Sequence, residues 1–72
     1  MLVKNVINGM YSQYKIEELH IISLSDNRVI FSGTFEGWKN VDEDMTSYKK
    51  DIEAKEVRNK ILFNKRKLFL FI

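Results

Sequence analysis

Apolar residues open the chain at helical spacing. Leu2, Val3, Val6, Ile7 and Met10 recur three or four positions apart, and Tyr14 extends the row. That period predicts a short amphipathic helix over about residues 2–13. Gly9 lies inside it and costs about 1 kcal/mol relative to alanine. Val and Ile also favour strands, so a first strand built from the same residues is the competing reading.

From Lys15 onward the period changes. IEELHIISL and VIFSGTF are rich in β-branched and apolar residues, and SDNR separates them. Asp26-Asn27 can take the positive φ of a tight turn. Glu17–Leu24 and Arg28–Thr34 therefore read as an antiparallel hairpin, with Gly33 at a bulge or strand end. In GWKNVDEDMTSYKK and the residues after it, Val41, Met45, Tyr48 and Ile52 are spaced for a helix. Asn40 would cap it, with Glu43 three positions later; an irregular loop is the alternative.

Val57–Phe63 and Leu68–Ile72 read as a second hairpin around Asn64-Lys65-Arg66-Lys67. Alternation sends Val57, Ile61 and Phe63, with Leu68, Leu70 and Ile72, toward the core. Phe69, Phe71 and Leu62 then fall on the opposite face, with Ile22 or Ile30. The expected fold is α+β: a four-stranded antiparallel sheet of two hairpins with one or two short helices. One short helix covers one face of such a sheet. A second face this apolar needs a cover, either the segment at 41–52, a second subunit or another protein.

Composition narrows the setting. Seventy-two residues make a single domain, 1–72, that buries only about 60% of its unfolded surface. There is no cysteine to form a disulfide or ligate a metal. The hydrophobic fraction of 44% and the absence of proline argue against a disordered or linker-like chain. Lys4, Asn5 and Asn8 interrupt the apolar start, so it lacks a signal-like apolar run. The uncharged run Leu68–Ile72 is far short of the roughly 20 residues that span a bilayer. The expectation is a cytoplasmic protein, with no membrane partner and no cofactor.

The net charge of +2 conceals an asymmetry. Residues 1–40 balance to zero, residues 41–54 carry −3, and residues 55–72 carry +5. The basic end mixes Arg58, Lys60, Lys65, Arg66 and Lys67 with Phe63, Phe69 and Phe71. Aromatics on a sheet beside cations can stack nucleic-acid bases. The same cations also serve solubility and protect a sheet edge. The aromatic consensus of the four-stranded RNA-binding sheet is missing.

Other chemistry finds little support. His20 sits in a strand beside Glu17 and Glu18, with Ser23 and Ser25 near in sequence. No nucleophile-elbow pattern surrounds those serines, so His20 reads as a half-exposed strand residue. From Asp42, the spacing Asp42, Asp44, Thr46 and Glu53 resembles a calcium loop. Ser47 stands where the loop needs glycine, and Lys50 would repel the ion. Trp38 reads as an anchor at the end of the core or as a partner hot spot. With no phosphate loop, zinc spacing or carboxylate pair on a firm scaffold, the expectation is a protein that is not an enzyme.

The order VKNVINGM, KIEELHIISL, NRVIFSGTFEGW, DIEAKEVRNKILFNKRKLFLFI resembles small accessory proteins of bacteriophages and mobile elements. Gly33-Thr34 closes the first hairpin as in that pattern, and Glu56-Val57 opens the closing strands. The resemblance implies a non-enzymatic accessory protein that binds another protein. Some similar proteins block host defence machinery, CRISPR nucleases included. The candidate contacts are Trp38, Arg58, Lys60, Lys65, Arg66, Lys67, Phe69 and Phe71. The alternatives are a small nucleic-acid-binding protein using the basic hairpin and a structural homodimer.

Overall fold

The computed structural model describes residues 1–41 and 46–72. Helix α1 spans Val3–Tyr14 and buries Val3, Val6 and Ile7, as its 3.6-residue period requires. It ends at Lys15, which takes the left-handed conformation (φ 55°) and donates its N–H to the Tyr11 carbonyl. Gly9 is on the exposed side, and a β-carbon there would meet nothing within 4 Å. Gly9→Ala should therefore raise the unfolding free energy by about 1 kcal/mol, read as a shifted denaturant midpoint. A destabilised variant would count against this helix.

Strands β1 (Glu18–Ser23) and β2 (Arg28–Thr34) form the first hairpin. Asn27 supplies the positive φ of its turn, 54°. Gly33 lies at the end of β2, and the bulge falls at Ile30: Ile21 pairs with Phe31, whereas Ile22 pairs with Val29. The extra residue keeps Ile30 packed against the core when plain alternation would have put it on the far face.

A five-residue helix, α2 (Phe35–Lys39), follows β2 directly. The Thr34 hydroxyl accepts from the Gly37 N–H at 2.9 Å. A side chain at residue 37 would crowd that hydroxyl, with a β-carbon 3.1 Å away. Phe35 stacks on Tyr11 with centroids 4.2 Å apart, and Trp38 packs edge-on against Phe31 at 5.0 Å. Helix α3 (Thr46–Glu53) comes next and buries Ile52. The capping box expected at Asn40 and Glu43 falls partly outside the described residues. So does the start of the calcium-like run, whose second half is helical here.

Strands β3 (Asn59–Phe63) and β4 (Lys67–Phe71) make the second hairpin. The sheet order is β2-β1-β4-β3, and the central pair β1/β4 is parallel. The sheet is thus mixed, which corrects the expected all-antiparallel arrangement. Each hairpin is antiparallel, but they join through the first strand of one and the last strand of the other. Those two strands carry large apolar residues on the core face. Leu19, Ile21, Leu68 and Leu70 are fully buried, so the centre of the sheet is where they lose most water contact. The helices contribute Val3, Val6, Ile7, Phe35, Trp38 and Ile52 to the same core cluster.

The second turn is one residue shorter than the pattern implied. Phe63 pairs with Lys67, leaving Asn64, Lys65 and Arg66 as the loop. Asn64 and Lys65 both have positive φ, and the Phe63 carbonyl accepts from the Arg66 N–H. A one-residue change of register exchanges the faces of a strand. Leu62 therefore packs against the core opposite Leu68, whereas Ile61 and Phe63 are expelled to the other face, reversing their expected places.

Candidate protein-interaction face

The sheet face opposite the core cluster is built from three cross-strand rows. Across β1, β4 and β3, register aligns His20, Phe69 and Ile61 in one row. Ile22, Phe71 and Asn59 form the next, and Glu18, Lys67 and Phe63 the third. Ser32 and Val29 of β2 extend the first two rows. Ile61 is 50% exposed, Phe63 54% and Val29 63%. Phe69 and Phe71 are partly covered by their neighbours. A shallow depression of about 390 Å³ lies among Ile61, Phe63, Lys67, Phe69 and Phe71.

Two cations bordering this face are paired with carboxylates of the chain. The Arg66 guanidinium lies 3.2 Å from Glu17, and the Lys67 ammonium 3.5 Å from Glu18. The other oxygen of Glu18 lies 3.4 Å from His20 Nε2. His20 stacks flat on Phe69, with centroids 4.6 Å apart, and its Nδ1 is 2.8 Å from the Ser32 hydroxyl. These contacts fix the imidazole plane against the phenyl ring. A serine, a histidine and a carboxylate thus meet in sequence, but the Glu18 contact is long for a hydrogen bond. The depression on this face lies over β3 and β4, away from Ser32. The arrangement positions a ring in an apolar platform.

The predicted contacts do not all meet here. Phe69 and Phe71 are on the platform and Lys67 is at its border. Lys65 and Arg66 occupy the adjoining turn, exposed. Lys60 pairs with Leu70, so its side chain leaves the sheet on the core side of edge strand β3. Arg58 precedes β3 and borders a different cavity. Trp38 is 3% exposed, which removes it as a surface contact and makes it the core anchor. The ring of Trp38 has Lys49 Nζ 5.3 Å above it, and its indole N–H is buried without a partner among the described residues. Ile61 and Phe63 are the platform residues that sequence reasoning placed on the core face, and His20, read as a half-exposed strand residue, joins them. Leu62 and Ile61 exchange faces with turn length alone, and no local signal distinguishes a three-residue from a four-residue loop here.

No helix among the described residues is long and apolar enough to cross a membrane. Comparison with known protein families, with curated proteins and with solved structures returned no match.

Proposed function

We propose that the chain is a non-enzymatic protein-interaction module. It acts by surface complementarity, in the manner of phage-encoded inhibitors of a host defence complex such as a CRISPR nuclease. The observation that carries this reading is the uncovered platform of Ile61, Phe63, Phe69 and Phe71. Monomeric proteins rarely expose contiguous apolar patches of this kind unless they bind something. Charge decides between kinds of partner. A nucleic-acid surface needs cations available to phosphates, yet Arg66 is paired with Glu17, just before β1, and Lys67 with Glu18 of β1. The aromatic centre with a polar, charge-paired rim matches the anatomy of a protein interface.

The experiment is affinity capture from a bacterial host lysate, followed by binding measurements with the purified captured protein. Binding should persist when Lys65 is replaced by Glu and should change little between low and physiological salt. Binding that collapses with salt or with Lys65→Glu, alongside retention of mixed DNA or RNA, would transfer the function to the nucleic-acid reading. A chain that sediments as a dimer and captures nothing would make the platform a self-association surface.

A further inference from the structure

On the core side of the sheet, at the end opposite the Lys65 turn, lies a second cavity of about 480 Å³. It opens between the β1–β2 turn, the end of α3 and the approach to β3. Three cations line it from three separate segments: Arg28 at the start of β2, Lys55 after α3 and Arg58 before β3. None of the three has a carboxylate within ion-pair distance among the described residues. Two acids also border the cavity. Asp26 is in the turn, and Glu56 is held 2.8 Å from the Met1 ammonium.

The rest of the lining has two characters. The hydroxyl of Ser23, only 7% exposed, lies 3.2 Å from Ser25 Oγ, and both residues line the site. Ile30 and Ile52 give an apolar floor, and the half-exposed Tyr48 ring forms a wall. The volume falls in the range of small-molecule sites and exceeds what a lone phosphate fills. Convergent cations with hydroxyls bind phosphate through charge-assisted hydrogen bonds. A flat apolar wall suits an aromatic ring.

We propose that this cavity binds a phosphorylated small molecule carrying a flat ring, a mononucleotide being the simplest member of the class. The phosphate lies among Arg28, Lys55 and Arg58, and the ring lies on Tyr48 and the isoleucine floor. The site is on the other side of the sheet from the interaction platform and does not depend on it.

The test is titration of the full chain with adenosine monophosphate, followed by amide chemical shifts, with adenosine and inorganic phosphate in parallel. Saturable shifts at Ser23, Arg28, Tyr48 and Arg58 are expected for the nucleotide, weaker ones for phosphate and none for adenosine. Arg28→Gln with Arg58→Gln should weaken nucleotide binding by at least about tenfold, since each removes a charge-assisted contact. Both side chains are exposed, so the fold should persist; Lys55→Gln is the independent second variant. No saturable shift at millimolar nucleotide, equal binding of adenosine, shifts centred on Lys65 and Arg66, or full affinity in the variants would each overturn the proposal.

Discussion

Leu70→Ala is expected to lower the unfolding free energy by about 2–5 kcal/mol, the range for truncating a buried leucine. Leu70 is fully buried in β4, between Ile21 of β1 and Lys60 of β3 in the register. The cost has two parts: transfer of the lost methyl groups and the cavity that a rigid sheet centre cannot close. For a domain of 72 residues, total stability is on the order of 4–11 kcal/mol. At mid-range values the variant should therefore lose about half of that stability, and its urea midpoint should fall in proportion. Ile61→Ala serves as the control. Its side chain is half exposed on the platform, so less than about 1 kcal/mol is expected. Urea midpoints at constant slope measure both. Equal losses at the two positions would show that β4 is not the centre of the sheet.

The contrast between those two leucine and isoleucine positions also separates what the sequence revealed from what it hid. Helix α1 and the first hairpin were legible because each has one clean period: Val3, Val6 and Ile7 at helical spacing, then Leu19 and Ile21 at alternate positions. Phe69 and Phe71 were legible as a second apolar face, since they alternate with Leu68, Leu70 and Ile72 along the strand. Ile61-Leu62-Phe63 has no polar residue to mark a face, so only the turn sets its register. That turn rests on positive φ at Asn64 and Lys65, which a lysine rarely adopts and its identity does not announce. The parallel pairing of β1 with β4 is a contact between segments about 50 residues apart, decided by competition for the centre of the sheet. Helix α2 was missed because its cap lies between Thr34 and a glycine, outside the usual capping-box pattern. The pairing of Arg66 and Lys67 with Glu17 and Glu18 follows from the same long-range register. Counting charges along the chain does not show that two of the six cations in residues 55–72 are paired with carboxylates from the start of β1.

Aspartate placed at residue 61 or at residue 62 should have opposite consequences. Ile61 lies on the platform, across from Phe69, and half of it meets water. A carboxylate there stays solvated in the free protein, so Ile61→Asp should fold, with a cost of about 1 kcal/mol from lost cross-strand contact. In a complex the same carboxylate would be desolvated among phenyl rings. A penalty near 3 kcal/mol corresponds to weakening of about a hundredfold or more in binding to the captured protein. Leu62 faces the other way, packed on the core opposite Leu68. Leu62→Asp should cost about 3 kcal/mol or more and melt much of the domain before binding can be asked. Thermal melting by circular dichroism gives the first reading, and titration of the captured protein gives the second. If residue 62 tolerates the charge and residue 61 does not, the hairpin runs in the four-residue register. If Ile61→Asp folds and binds undiminished, the partner docks elsewhere, because no apolar interface centred on Phe63 and Phe69 can absorb an unpaired carboxylate.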